Sequence, residues 1–250
     1  MNTHLKKYGL TLLTASATLA LTLGTGCKTA QPDATTSDTS VTAIDICLEP
    51  DATMIQHATD VNARLRGVFP DGFALDASHR PHVTLVQRFV RTADLDQVYA
   101  AAGKAIANDD VTSLKLEAFK YYYIPDKDLG LSGIVIKPTP ELLKVEQDVI
   151  DAVAPFTVKT GTAAAFVKPE DPGVNQLLIN YVEVFVPDHS GEHYSPHVTT
   201  GLATREYLDK MLAEPFENFT FSPSGAAVYH LGPYGTAAKK LKQLSGDAMN

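Results

Sequence analysis

Two identical tetrapeptides, Pro81-His82-Val83-Thr84 and Pro196-His197-Val198-Thr199, stand 115 residues apart in a chain of 250. A single His-x-Thr carries little information, since His57-Ala58-Thr59 fits it too. The duplicated tetrapeptide is different, because composition alone yields roughly 0.003 such copies per chain of this length. On an extended strand residues i and i+2 share a face, so the His and Thr of each motif point one way and the Val the other. Two such strands side by side would aim two imidazoles and two hydroxyls at one point. That set suits phosphoryl transfer. One imidazole takes a proton from the attacking water or hydroxyl and the other gives one to the leaving oxygen. The Thr hydroxyls donate to the non-bridging oxygens, where charge develops. No metal or other cofactor is required. The motifs leave open which His is acid and which is base, and whether the reaction runs as hydrolysis or ligation.

Other residues near the motifs have weaker claims. His79 could orient His82, although a solvated loop position suits it better, and Arg80 and Arg88 could touch a phosphate, although surface roles suit them at least as well. Tyr121, Tyr122 and Tyr123 alternate faces, so at least one belongs to the core and another could offer a stacking face. Tyr229 and His230 could border a groove. A rival chemistry comes from Asp188, His189, Glu192, His193 and His197. His189, His193 and His197 are spaced as metal ligands on one helix face. Gly191 and Pro196 interrupt any helix there, so such a site would have to be built on a loop.

The net charge is −8, with 29 acidic and 21 basic residues. Such a balance repels long polyanions and lacks the basic footprint of a nucleic-acid binder, so no long nucleic acid is expected as partner. The N-terminus has the layout of an export signal: Lys6 and Lys7, an apolar run from Leu10 to Leu23, then small residues before Cys27. The expected signal peptide is 1–26, with Cys27 lipidated. The mature chain would have 224 residues and a net charge of −10. Residues 27–42 are rich in Thr, Ser and Asp and read as a flexible tether. The expected product is an exported, periplasmic or outer-membrane lipoprotein, a monomer held to the membrane through its N-terminal lipid. Cys47, within Ile44-Asp45-Ile46-Cys47-Leu48, reads as a small core residue.

The paired motifs resemble those of the two-histidine phosphoesterases, a group that includes bacterial 2'-5' RNA ligase-like proteins and cyclic nucleotide phosphodiesterases. The stretch Ala227-Val228-Tyr229-His230-Leu231-Gly232-Pro233-Tyr234-Gly235-Thr236 is similar to that family's last strand and following turn. The resemblance spans roughly residues 44–244. It implies an α+β, bilobal, pseudo-symmetric domain with two antiparallel sheets lining a central cleft and helices outside. It also implies catalytic roles for His82, Thr84, His197 and Thr199, and a small nucleotide-like phosphodiester or 2',3'-cyclic phosphate as substrate. The leader, the acidic balance and a longer second half depart from the family pattern. They put a cytoplasmic RNA-processing role in doubt. The alternative is a non-catalytic, surface-anchored nucleotide- or metal-binding lipoprotein.

The elements that must position the motifs follow from periodicity and capping. The folded domain is expected over 43–246, in two lobes of roughly 43–130 and 131–246. Each lobe starts with a strand ending in x-Pro, continues with a helix, and reaches a Pro-His-Val-Thr. Strands are expected at 44–48, 82–90, 114–124, 132–137, 158–167, 176–186, 197–201, 219–221 and 226–231. Helices are expected at 51–66, 93–108, 140–153 and 204–213, with Asp51 and Thr139 as N-caps.

Overall fold

The structure, a computed structural model, describes residues 39–246. The expected signal peptide, Cys27 and most of the expected tether lie outside the described residues. Strand β1 (Val41–Pro50) begins two residues inside the segment expected to be tether. It alternates strictly: Ile44, Ile46 and Leu48 enter the main core, while Asp45, Cys47 and Glu49 face the other way. Helix α1 (Ala52–Val68) starts where Asp51 caps it, Oδ1 accepting from the amides of Thr53 and Met54. Asp51 Oδ2 also accepts from the Ser222 amide, which ties the helix start to the C-terminal strands.

The remaining elements are β2 (Val83–Arg91), α2 (Leu95–Asn108), β3 (Leu116–Asp126), β4 (Leu129–Ile136), α3 (Pro140–Val153) and β5 (Thr157–Val158). They continue as α4 (Gln176–His189), β6 (His197–Thr204), α5 (Arg205–Leu212), β7 (Phe219–Phe221), β8 (Pro223–Leu231) and β9 (Ala237–Gly246). Two antiparallel sheets result, one in the order β5-β2-β1-β8-β9 and the other β6-β4-β3-β7. The fold is α+β, with five α-helices among the described residues. None of these helices is long and apolar enough to cross a membrane.

The two sheets are not consecutive halves of the chain. β3 precedes residue 130 but pairs with β4, whereas β8 and β9 return to flank β1. The helices cross over as well. α1, which follows β1, packs mainly on β6 of the opposite sheet, and α3, which follows β4, packs on α2 and β2. Each apolar helix face thus buries against the strand that carries a motif.

Three segments differ from the sequence expectation. Residues 176–186 form most of α4 rather than a strand. Leu178, Ile179, Val182 and Phe185 are buried at helical spacing, and Asn175 caps the start by accepting from the Leu178 amide. The alternation of the residues there reads as an extended chain. Within 158–167 only Val158, the end of β5, pairs into a sheet. The chain then leaves the sheet edge and passes over Phe89, where a Cβ on Gly161 would lie 2.4 Å from the ring. β9 was not anticipated, because its lysines and Gln obscure the alternation of an edge strand.

Candidate active site

Each motif sits at the start of a strand and is followed by the same irregularity. In the β1–β2 pair Cys47 faces Thr84 and Ile46 faces Val86, so Leu85 is bulged out. In the β4–β6 pair Gly133 faces Thr199 and Ser132 faces Gly201, so Thr200 is bulged out. A bulge adds one residue and resets which side chains share a face. The residue next to Thr84 on the cleft face is therefore Gln87, and its counterpart beyond Thr199 is Leu202. Asn62 of α1 holds the second bulge by donating from Nδ2 to the Thr200 carbonyl at 2.8 Å.

His82, Thr84, His197 and Thr199 line one cavity of about 390 Å³ between the two sheets. β3 and β4 contribute Ile124, Leu129 and Leu131, α4 contributes Leu178 and Tyr181, and the 233–235 turn contributes Tyr234. The two rings are anchored alike. His82 Nδ1 meets the Arg80 carbonyl at 2.7 Å, and His197 Nδ1 meets the Ser195 carbonyl at 2.8 Å. A carbonyl only accepts, so both Nδ1 atoms carry hydrogen and both Nε2 atoms are left as the proton-exchanging positions.

The matched motifs have unlike surroundings. Asp45 is fully buried opposite Gln87. Its Oδ2 accepts from Thr84 Oγ1 at 2.8 Å and Gln87 Nε2 at 3.0 Å, and lies 3.3 Å from His82 Nε2. Asp45 Oδ1 and Gln87 Oε1 are buried with no hydrogen-bond partner among the described residues, which leaves surplus acceptor capacity beneath the ring. The corresponding pair in the other sheet is Leu131 opposite Leu202. The proton affinities diverge accordingly. Burial alone would lower the His82 pKa, but the hydrogen bond and charge of Asp45, helped by the Arg80 carbonyl and Glu49, hold it above the ordinary imidazole value. Burial pushes His197 below that value. The Ser195 carbonyl and Asp45 offset this only in part, and the charge of His82 adds to it. His82 therefore holds its proton more tightly than His197 does.

Aromatic side chains support the second ring. Tyr122 meets His197 edge-on, with centroids 4.8 Å apart. Gly133 permits this, since a Cβ there would lie 2.6 Å from the Tyr122 ring and 3.0 Å from the Val198 carbonyl. Tyr194 donates across the cleft to the Thr84 carbonyl at 2.6 Å. A neighbouring cavity of about 340 Å³ shares Thr84, Ile124, Tyr181 and His197 with the first, so these four side chains form the neck between them. Tyr121 and Tyr123 lie on the other face of β3, against Phe216 and Asp209.

The structure brings together the four residues singled out by sequence and leaves several others outside. His79 bonds Asp76 and Ser78 and stacks on Phe73 rather than backing His82. Arg80 and Arg88 do not line either cavity. Tyr229 is buried, donating to Glu49, and His230 Nε2 meets the Ala165 carbonyl. His189, His193 and His197 all border the second cavity, yet among the described residues no group of three or more His, Cys, Asp or Glu is placed to hold a metal ion. Asp45 was the residue missed by sequence reasoning. Its signal was a carboxylate in an otherwise apolar strand start, where an unpaired charge would be costly.

A scan against protein-family models finds no match, and no curated protein is significantly similar. Solved structures give distant likenesses. TT0787 of Thermus thermophilus is 16% identical, with a TM-score of 0.47 over 82% of this chain and 100% of that one. E. coli LigT complexed with 3'-AMP is 12% identical, with a TM-score of 0.37 over 81% and 96%. Kluyveromyces marxianus Usb1 with uridine monophosphate is 13% identical, with a TM-score of 0.40 over 82% and 99%. Function therefore rests on the site itself.

Proposed function

We propose that this protein is a two-histidine phosphoesterase that cleaves a small phosphodiester or cyclic phosphate, with His82, Thr84, His197 and Thr199 as its catalytic residues. One observation carries the reading. Two imidazoles, held in the same tautomer by the carbonyl two residues before each, share a cavity with two Thr hydroxyls but differ in proton affinity. A pair of titratable groups pushed apart by their surroundings is the pattern of an acid and a base.

In this reading His197 Nε2 takes a proton from water as the water oxygen bonds to phosphorus. The P–O bond to the leaving group breaks, and the leaving oxygen takes the Nε2 proton of His82. The products are a phosphomonoester and an alcohol, or a ring-opened monoester from a cyclic substrate. Proton exchange with solvent then restores His82 and His197. The contact between His82 and Asp45 is long at 3.3 Å, so it stabilises the imidazolium without a tight bond on the proton. Thr84 donates to Asp45. A bound phosphoryl oxygen would compete for that hydroxyl, while Thr199 serves the other non-bridging oxygen.

The test is turnover of a panel of 2',3'-cyclic nucleotides and simple aryl phosphodiesters. His82→Ala and His197→Ala should each lose on the order of a hundredfold or more. The wild-type rate should be bell-shaped in pH, with its acidic limb below and its alkaline limb above the ordinary imidazole pKa, because the base is depressed and the acid raised. A flat profile through that range would remove the acid–base reading. Binding without turnover would favour a non-catalytic nucleotide- or metal-binding module. We propose as well that the chain is exported and anchored through a lipid on Cys27, on the strength of its leader alone. Detergent-phase partitioning that survives Cys27→Ser would refute the anchor.

A further inference from the structure

The cavity that holds the motifs is lined mainly by aliphatic side chains, with Tyr181 and Tyr234 beside them. Leu129, Leu131, Leu178 and Leu202 form its walls, and Ile124 and Leu177 stand at its edge. Among the described residues four large apolar side chains are exposed, and Ile124 and Leu177 are two of them, at 44% and 68%. Two of its polar side chains are partly engaged. Asn175 Oδ1 caps α4, and Gln87 Nε2 donates to Asp45 and to the Gly235 carbonyl. The second cavity, beyond the neck formed by Thr84 and His197, is bordered by Tyr122, Phe185 and Tyr194.

Neither cavity is lined by a Lys or an Arg, and Asp126 adds a carboxylate to the first. A polyphosphate or an oligonucleotide brings several negative charges and requires cations to receive them. A lone phosphodiester brings one, which hydrogen bonds from the His82 ring and the Thr84 and Thr199 hydroxyls can receive. Two cavities meeting at the reactive neck also match a diester, which carries an organic group on each side of phosphorus.

Building on the phosphodiesterase reading, we propose that the substrate is a singly charged phosphodiester with one aliphatic arm, seated in the leucine-lined cavity, and a planar or compact second arm in the aromatic one. The apolar arm supplies binding through burial of methylene groups, and Ile124 and Leu177 cover it at the rim. A nucleoside in the leucine-lined cavity is the competing occupant.

The experiment is a series of p-nitrophenyl alkyl phosphates from methyl to octyl, with p-nitrophenyl thymidine phosphate and a cyclic nucleotide as comparators. The purified wild type should show kcat/KM rising roughly two- to fourfold per methylene until the cavity is filled. The longer alkyl esters should exceed the thymidine ester. Leu177→Asp and Ile124→Asp, both at exposed positions, should flatten that slope. A flat series with measurable turnover, or a preference for the thymidine ester, would overturn the aliphatic-arm proposal and leave the phosphodiesterase reading standing. No turnover of any diester would remove the phosphodiesterase reading, and the proposal with it.

Discussion

Asp45 and Leu131 occupy matched positions in the two sheets, and the contrast between a carboxylate and an isobutyl group there separates two motifs of identical sequence. The carboxylate raises the proton affinity of His82, and the leucine leaves His197 to the cost of burial. Asp45 is a positioning residue in this scheme, acting through His82 and Thr84. Asp45→Asn keeps the shape but removes the charge that favours imidazolium. The alkaline limb of the pH–rate profile should move to lower pH while the acidic limb, set mainly by His197, shifts less. The loss at the optimum should be smaller than the roughly hundredfold cost of deleting an imidazole. A pH titration of kcat/KM in the variant checks this, and an unmoved alkaline limb would show that Asp45 has only a packing role.

At the scale of elements, the bulges after Thr84 and Thr199 and the crossed helices α1 and α3 hold the motifs in register. α3 also carries a buried group that titrates near neutrality. Burial raises the Glu146 carboxyl to about 7, against an ordinary 4.5, and the Gly191 amide donating to Oε2 only partly offsets this. The folded state therefore holds this proton more tightly than the unfolded chain does. Its contribution is most favourable below about pH 4.5 and is lost as the pH rises through about 7. Glu146→Gln should remove that slope and raise stability at pH 8 by on the order of 2 kcal/mol. Urea denaturation of both proteins at pH 5 and pH 8 measures it. Equal gains at the two pH values would attribute the effect to packing instead.

For the whole molecule, a net charge of −8 and a cleft without Lys or Arg lining mean that an anionic substrate approaches against the field. Added salt screens that repulsion. Initial rates at limiting substrate should therefore rise, by roughly twofold or more, between low and physiological ionic strength. A fall would point to steering by cations elsewhere on the surface. Much of this architecture was legible in the linear chain. The duplicated Pro-His-Val-Thr marked the site, and Asp51 and Thr139 marked helix starts that the structure retains. The alternation of β1 and the His–Thr spacing are local properties, dictated by the two-residue period of a strand. What local rules could not supply were relations across the chain. Helix α4 was decided by the surface it buries, the return of β8 and β9 to β1 by pairing over long separations, and the shift from Val86 to Gln87 beside Thr84 by a bulge. The assignment of acid and base likewise belongs to the tertiary structure. Two motifs of one sequence share one intrinsic proton affinity, and only the neighbours brought to them by folding, Asp45 on one side and leucines on the other, make them differ.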